Sequence, residues 1–245
     1  MTARCANTNM ASPKRTKLNV PKSHTRSLSQ HLIEIYRLLF ARYGPQHWWP
    51  GDSPFEVIVG AILTQSAAWG NVEKAISNLK QAGALTPTSL RQIPPDNLAE
   101  LIYPSGYYKA KALKLKSFVE RLAEAHQDSL ERLFSLETKQ LREELLSIHG
   151  IGPETADSII LYAARKPVFV IDAYTRRILS RLGLSPSRDD YTSFQSQFME
   201  NLPADEKLFN EYHALLVRHG KEACKKVPLC DRCCLRGICI YPIKR

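Results

Sequence analysis

Between Leu145 and Arg177 the chain reads LLSIHGIGPETADSIILYAARKPVFVIDAYTRR, two helical patterns broken by a Gly-Ile-Gly turn and followed by an Asp after a short apolar stretch. Leu141, Leu145 and Leu146 repeat at helical spacing and stop at His149-Gly150-Ile151-Gly152, where glycines can take positive φ without steric cost. Pro153 suits the first turn of a second helix, and Ala156, Ile159, Ile160 and Ala163 form an i, i+3, i+4, i+7 stripe able to pack on the first. The pattern predicts a helix-hairpin-helix. Its turn leaves the Gly150 and Gly152 N–H groups at a helix N-terminus with nothing bulky beside them, which suits a phosphate oxygen. An ordinary helical hairpin with a glycine cap is the competing reading. Val168-Phe169-Val170-Ile171 then leads to Asp172, and Tyr174, Ile178, Leu179 and Leu182 resume helical spacing, so Asp172 occupies an N-cap position. Capping and chemistry are compatible roles, because backbone N–H groups at a helix start fix a carboxylate in place.

A second feature is independent of the first. Cys224, Cys230, Cys233 and Cys239 are separated by five, two and five residues. Four thiolates in so short a span suit a metal centre, and from spacing alone zinc and an iron-sulfur cube stand level. A disulfide framework competes less well in a chain with no signal-peptide pattern and a remaining Cys5.

Charge points to a polyanionic partner: 34 Lys+Arg against 24 Asp+Glu give a net +10. The excess sits at the two ends. Residues 1–26 carry six basic and no acidic side chains, and residues 221–245 seven basic against two acidic, which leaves the middle near balance. Lys225, Lys226, Arg232 and Arg236 fall inside the cysteine loop, so a centre there would order a basic surface. Residues 1–26 mix Lys/Arg, Ser/Thr, Asn and Pro without apolar periodicity and read as a disordered basic tail. A transit peptide has similar composition but would bring an amphipathic helix, and none is evident. No stretch approaches the roughly twenty apolar residues of a membrane span, so the expectation is a soluble monomer of the cytoplasm or nucleoid with no membrane partner.

Helical patterns run through the rest. Ser29–Tyr43 ends at Gly44-Pro45, and Ser53-Pro54-Phe55-Glu56 has the form of a capping box opening a helix toward Gln65. Further helices are predicted over 71–82, 96–102, 107–126, 138–148, 153–165, 173–182, 189–201 and 205–220, with no strand ladder. The fold class is all-α.

These motifs together resemble the endonuclease III superfamily of DNA glycosylases, marked by a helix-hairpin-helix, a Gly/Pro-rich loop and one essential Asp. The resemblance spans nearly the whole chain after the basic tail. It implies two helical lobes: 51–152 as a six-helix lobe ending in the hairpin turn, and 27–50 joined to 153–245 as the lobe carrying the Asp and a C-terminal [4Fe-4S] loop, with the active site in the groove between them. By position Asp172 is the catalytic Asp, and Gly150, Ile151 and Gly152 form the phosphate grip, with Arg176, Lys225, Lys226 and Arg232 as further DNA contacts. The resemblance favours a [4Fe-4S] cluster on Cys224, Cys230, Cys233 and Cys239 over zinc, although the family usually has six residues in the first gap where five stand here; Cys234 is left as a bystander.

Members that also cut the abasic strand have Lys in the fifth position of GxGxKTA, and here GIGPETA places Glu154 there. A carboxylate cannot form the Schiff base that a lyase needs. This predicts a monofunctional hydrolase in which Asp172 stabilises an oxocarbenium-like sugar or activates water, with Glu154 as a possible second carboxylate. His47-Trp48-Trp49-Pro50, Trp69, and the tracts FEVIVGAILTQSAAWGNVEKAISNLK and YPSGYYKAKALKL resemble the bacterial 3-methyladenine DNA glycosylase branch. That branch lines its base pocket at the Trp48, Trp49, Pro50 and Trp69 positions, and the Gln65 position fills the gap left by a flipped base. A cationic alkylated purine in damaged double-stranded DNA would stack well on such rings. The branch commonly lacks the cysteine loop, so this chain combines motifs of two branches. A bifunctional glycosylase/lyase using a displaced Lys, and a non-catalytic helix-hairpin-helix DNA-binding protein, are the competing functions.

Overall fold

The computed structural model describes residues 27–241, so the basic tail expected over 1–26, with Cys5, lies outside it. Among the described residues the regular structure is all helical. In order these are α1 Leu28–Tyr43, α2 Pro54–Leu63, α3 Trp69–Gln81, α4 Pro87–Gln92, α5 Pro95–Leu101, α6 Tyr108–His126, α7 Leu130–Ser135, α8 Thr138–Ser147, α9 Pro153–Ser158, α10 Ala173–Arg181, α11 Tyr191–Met199 and α12 Glu206–Glu222. No helix among them is long and apolar enough to cross a membrane.

Side-chain caps set most of the starts. Ser27 and Gln30 form a complete capping box on α1. On α2 only half of the expected box forms: Ser53 Oγ accepts from the Glu56 N–H, while the Glu56 carboxylate accepts from the Asp52 N–H and pairs with Lys80 at 2.8 Å. Asp172, Asp190 and Asp205 cap α10, α11 and α12. The helices α4 and α7, absent from the sequence expectation, are six residues each and rest on the caps Thr86 and Ser129. Runs that short carry too few apolar positions to show a helical period.

The second hairpin helix also departs from expectation. α-Helical bonding stops at Ser158 and a π turn occupies Ile159–Ala163, closed by the Ala164 N–H donating to the Ile159 carbonyl. Such wide turns inside helices recur at functional sites. This one carries Tyr162.

The core is centred on Phe169, whose ring stacks on Phe198 with centroids 3.7 Å apart and meets Phe209 and Tyr212 edge-on. The Tyr212 hydroxyl donates to the Leu32 carbonyl at 2.8 Å, which seats α1 on α12. A buried Asp157 accepts from Arg142 at 2.7 Å and from Gln195 at 2.8 Å, tying α8, α9 and α11 together. On the other side Lys111 donates its ammonium to the Leu63 and Ser105 carbonyls and closes the end of α2. Because Phe169 is fully buried among the rings of α11 and α12, Phe169→Ala should lower the unfolding free energy by about 3–5 kcal/mol. Urea unfolding at fixed pH measures this; an unchanged midpoint would be inconsistent with the packing described.

Candidate active site

Asp172 sits where the buried extended segment Val168-Phe169-Val170-Ile171 turns into α10. Its Oδ1 accepts from the Thr175 N–H at 2.7 Å, so one carboxylate oxygen is committed to the cap. The other, Oδ2, faces His213 Nε2 across 3.9 Å. Both residues line a cavity of about 970 Å³.

One wall of that cavity is aromatic. Trp48, Trp49 and Trp69 pack in mutual contact, with centroids 5.2 to 5.8 Å apart, and Trp49 also meets Tyr162 at 5.3 Å. Gly60 permits the close approach, since a Cβ there would lie 3.2 Å from Trp49 Nε1. The three rings therefore pack and line the cavity at once. The indole N–H groups of Trp48 and Trp49 have no hydrogen-bond partner, whereas that of Trp69 donates to Glu73 at 2.7 Å. Pro50, expected with them, is exposed and does not line the cavity.

The hairpin turn leads into the cavity lining at Glu154 and Thr155. Gly150 has φ +83°, a conformation that favours glycine, and a Cβ there would displace the Lys114 side chain, whose Cγ it would approach to 2.3 Å. Gly152, expected to need the same freedom, has φ −93° and open space around it. Ile151 is buried, so only its backbone faces outward. The Gly150 and Gly152 N–H groups have no partner among the described residues. Gln65 lines the cavity and donates to the Gly150 carbonyl at 3.1 Å and to Thr155 Oγ1 at 2.9 Å, while accepting from the Lys114 ammonium.

Glu154 lines the same cavity. The residue is solvent-exposed, and the cavity walls enclose it only in part. That enclosure first, and the Asp172 charge second, push its pKa up to about 7 against a weaker opposing pull from Arg176. Arg176 itself pairs with Asp189 at 3.3 Å, lies over the Phe194 ring and does not line the cavity.

Opposite Asp172 are two groups that no local motif announces. Burial pushes the Tyr162 phenol well above its usual range, so it keeps its proton, and its O–H bonds His213 Nδ1. Burial also lowers the His213 pKa, opposed by Asp172, which keeps the ring neutral. The Tyr162 hydroxyl has no other acceptor among the described residues, so it donates to Nδ1 and the ring proton resides on Nε2. Lys221, on α12, also lines the cavity, with its ammonium 5.8 Å from the Trp48 ring centroid.

The cysteine loop is held by α10. Arg177 donates to the Cys224 and Gly220 carbonyls at 2.8 and 3.1 Å, and Arg181 donates to the Lys225 and Lys226 carbonyls at 2.6 and 2.9 Å. This places Lys225 and Lys226 at the cavity, while Arg232 remains exposed outside it. Cys224, Cys230, Cys233, Cys234 and Cys239 are free thiols, and no group of three or more His, Cys, Asp or Glu side chains among the described residues stands at metal-binding geometry. The donor set is one that would suit a thiolate-bound centre: after burial, the charges of Cys234, Cys224 and Cys239 nearby also push the Cys233 pKa up, and Cys233 Sγ lies 3.5 Å from His219 Nε2 on α12.

Residues 59–204, which contain the hairpin, Gln65 and Asp172, match the HhH-GPD superfamily of base excision DNA repair proteins. The chain belongs to that family. Among curated relatives, a Methanocaldococcus jannaschii protein named "putative DNA repair glycosylase" is 44% identical over 210 residues, spanning 85% of this chain and 96% of that one. Endonuclease III of Sulfolobus acidocaldarius is 32% identical over 189 residues, 76% of this chain and 82% of that one. Among solved structures, the H. pylori 3-methyladenine DNA glycosylase bound to 1,N6-ethenoadenine superposes with a TM-score of 0.70 at 29% identity, covering 80% of this chain and 98% of that one. The all-α fold and membership of the endonuclease III superfamily are thus shown.

The raised Glu154 pKa has a definite sign in stability. The folded protein holds this proton from about pH 4.5 up to about 7, so its contribution is full below the unfolded value and is lost as pH rises through 7. Glu154→Gln should therefore gain thermal stability relative to the wild type between pH 5 and 8. Paired melting curves across that range test it, and a difference independent of pH would contradict the assignment.

Proposed function

We propose that the protein is a monofunctional DNA N-glycosylase that flips a damaged base, probed best by an alkylated purine such as 3-methyladenine, from double-stranded DNA and hydrolyses its glycosidic bond with Asp172. The observation that carries this reading is the Asp172 carboxylate, capped through one oxygen and open through the other onto an aromatic-walled cavity. A flipped base stacks on such rings, and a cationic base leaves neutral, so it asks little of a general acid. The purine bound to the H. pylori enzyme agrees with that substrate class.

In this reading Trp48, Trp49 and Trp69 form the base pocket, with Pro50 contributing at most to the outer surface. Gln65 fills the gap in the duplex, and to do so it gives up its bonds to the hairpin. The backbone of Gly150, Ile151 and Gly152 binds a phosphate, and Lys225, Lys226, Arg232 and Arg176 supply flanking positive charge. Residues 51–152 act as one lobe and 27–50 with 153–245 as the other, the cavity lying between. Asp172 stabilises the sugar as positive charge builds on it and directs water to C1′. Glu154, where lyases of the family have Lys, is the second carboxylate and modulates the charge seen by the base.

Cys224, Cys230, Cys233 and Cys239 would hold a [4Fe-4S] cluster, with Cys234 outside the set. When bound, the cluster supplies iron–thiolate cross-links that order the loop. Protein purified without oxygen should be brown, with iron and sulfide each near four per chain; a colourless zinc protein would replace the cluster with the alternative metal.

A second reading rests on Lys221, an amine lining the same cavity and thus able to stand in for the missing lyase Lys. One experiment separates the readings: duplexes bearing a panel of lesions are scored for base release with and without hot alkali, and for adducts trapped by borohydride. The expected result is base release, strand cleavage only after alkali, no adduct, and loss of at least about 1000-fold in rate for Asp172→Asn with DNA affinity within a few-fold of wild type. A trapped adduct lost in Lys221→Ala would install the lyase reading. Unchanged behaviour of Asp172→Asn on every lesion would leave a DNA-binding protein without catalysis.

A further inference from the structure

His213 Nε2 is buried, faces the Asp172 carboxylate across 3.9 Å and has no hydrogen-bond partner among the described residues; Thr175 Oγ1, beside the same carboxylate, is buried and unpartnered too. An unsatisfied buried donor costs about 1–3 kcal/mol, so its retention at this position calls for a use. The Tyr162 hydroxyl occupies Nδ1 from the π turn and Trp49 packs on the Tyr162 ring, so the imidazole is held in place, and with the phenol as donor its proton lies on Nε2. Across from it, Asp172 Oδ1 is spent on the Thr175 N–H and only Oδ2 remains.

The spacing is informative. At 3.9 Å, Nε2 and Oδ2 are too far apart to bond directly. A water at the cavity side of the pair, about 2.8 Å from each atom, would bridge them off the line that joins them once a small shift of either side chain opens Nε2, receiving a hydrogen bond from Nε2–H and giving one to Oδ2. We propose that His213, held by Tyr162, positions the hydrolytic water on Asp172 for attack at the sugar. This rests on the glycosylase reading and adds to it the residue that selects the nucleophile. In the step so defined, the C1′–N bond breaks and its electron pair leaves on the base. The water oxygen forms the new C1′–O bond, and the water proton passes to Asp172 Oδ2. A cationic alkylated purine departs neutral, so charge and protons balance with no further acid.

The test compares His213→Leu, His213→Gln and Tyr162→Phe with the wild type by single-turnover base release, DNA affinity and nucleophile partition. For the last, methanol is added and the abasic product is separated by mass spectrometry into free and methylated deoxyribose. His213→Leu should release base roughly 100-fold more slowly at unchanged DNA affinity and shift the product toward the methyl glycoside, because water loses its held place. His213→Gln, which keeps an N–H donor, should recover part of both. Tyr162→Phe should shift the partition in the same direction by less, and it serves where the leucine variant fails to fold. Wild-type partition in the folded variants, with or without a slower rate, overturns the proposal while leaving the glycosylase reading standing. Absence of base release by the wild type from every duplex overturns both.

Discussion

The hydrogen bond from the Thr175 N–H to Asp172 Oδ1 fixes more than one carboxylate. It starts α10, and α10 is the rod on which the rest of the site is hung. Ile178 and Leu179 are buried on its inner face where it packs along α12, so its axis is set by the core. Arg177 and Arg181, one and two turns beyond the cap, hold the backbone of the cysteine loop. The position of Asp172 and the position of Lys225 and Lys226 are therefore properties of a single rigid element. A cap that frayed would move the carboxylate and loosen the loop anchor together, and capping bonds of this kind contribute about 1 kcal/mol each.

What the sequence made legible is what local spacing encodes. The hairpin and the Asp172 cap follow from residues within a few positions of one another, and both are found where the pattern puts them. The glycine argument held for Gly150 but not for Gly152, because a composition of two glycines does not say which one meets a side chain; the deciding atom is Lys114 Cγ, from α6. The Glu56 box failed for the same reason, since Lys80 from α3 competes for the carboxylate. Tyr162 and His213 lie 51 residues apart. Both fall within predicted helices, 153–165 and 205–220, but the pattern singles out neither and could not say that they face each other, and the π turn that aims Tyr162 leaves no mark on a 3.6-residue pattern. The signal available was a polar ring on an otherwise apolar face of α12, which is more often a satisfied core group than a site residue.

Charge in the cavity is divided by depth. Asp172 is nearly buried beside His213, whereas Lys225 and Lys226 are exposed at the edge. A positive rim attracts the phosphates of a duplex without competing for the reacting centre, and salt weakens that attraction over about 10 Å. A carboxylate acts on the sugar at short range, where two unit charges 4 Å apart interact by about 4 kcal/mol at an effective dielectric of 20. The two effects need different surroundings, solvent for the first and protein walls for the second. The fold supplies both from neighbouring parts of one helix pair, α10 and α12.

Glu154 tests how far that division extends. Lining the same cavity as Asp172, it resists ionisation up to about pH 7, so near neutrality its own charge is shared with a proton. A lysine at the same position, as in lyases of the family, would instead put an amine within reach of the sugar and a positive charge beside Asp172. The two residues are thus alternatives in electrostatics as well as in covalent chemistry. In the glycosylase reading proposed above, Glu154 would favour departure of a positively charged base and attack by neutral water, where lysine would favour capture of the sugar by nitrogen. One side chain at the start of α9 would then decide which nucleophile Asp172 serves.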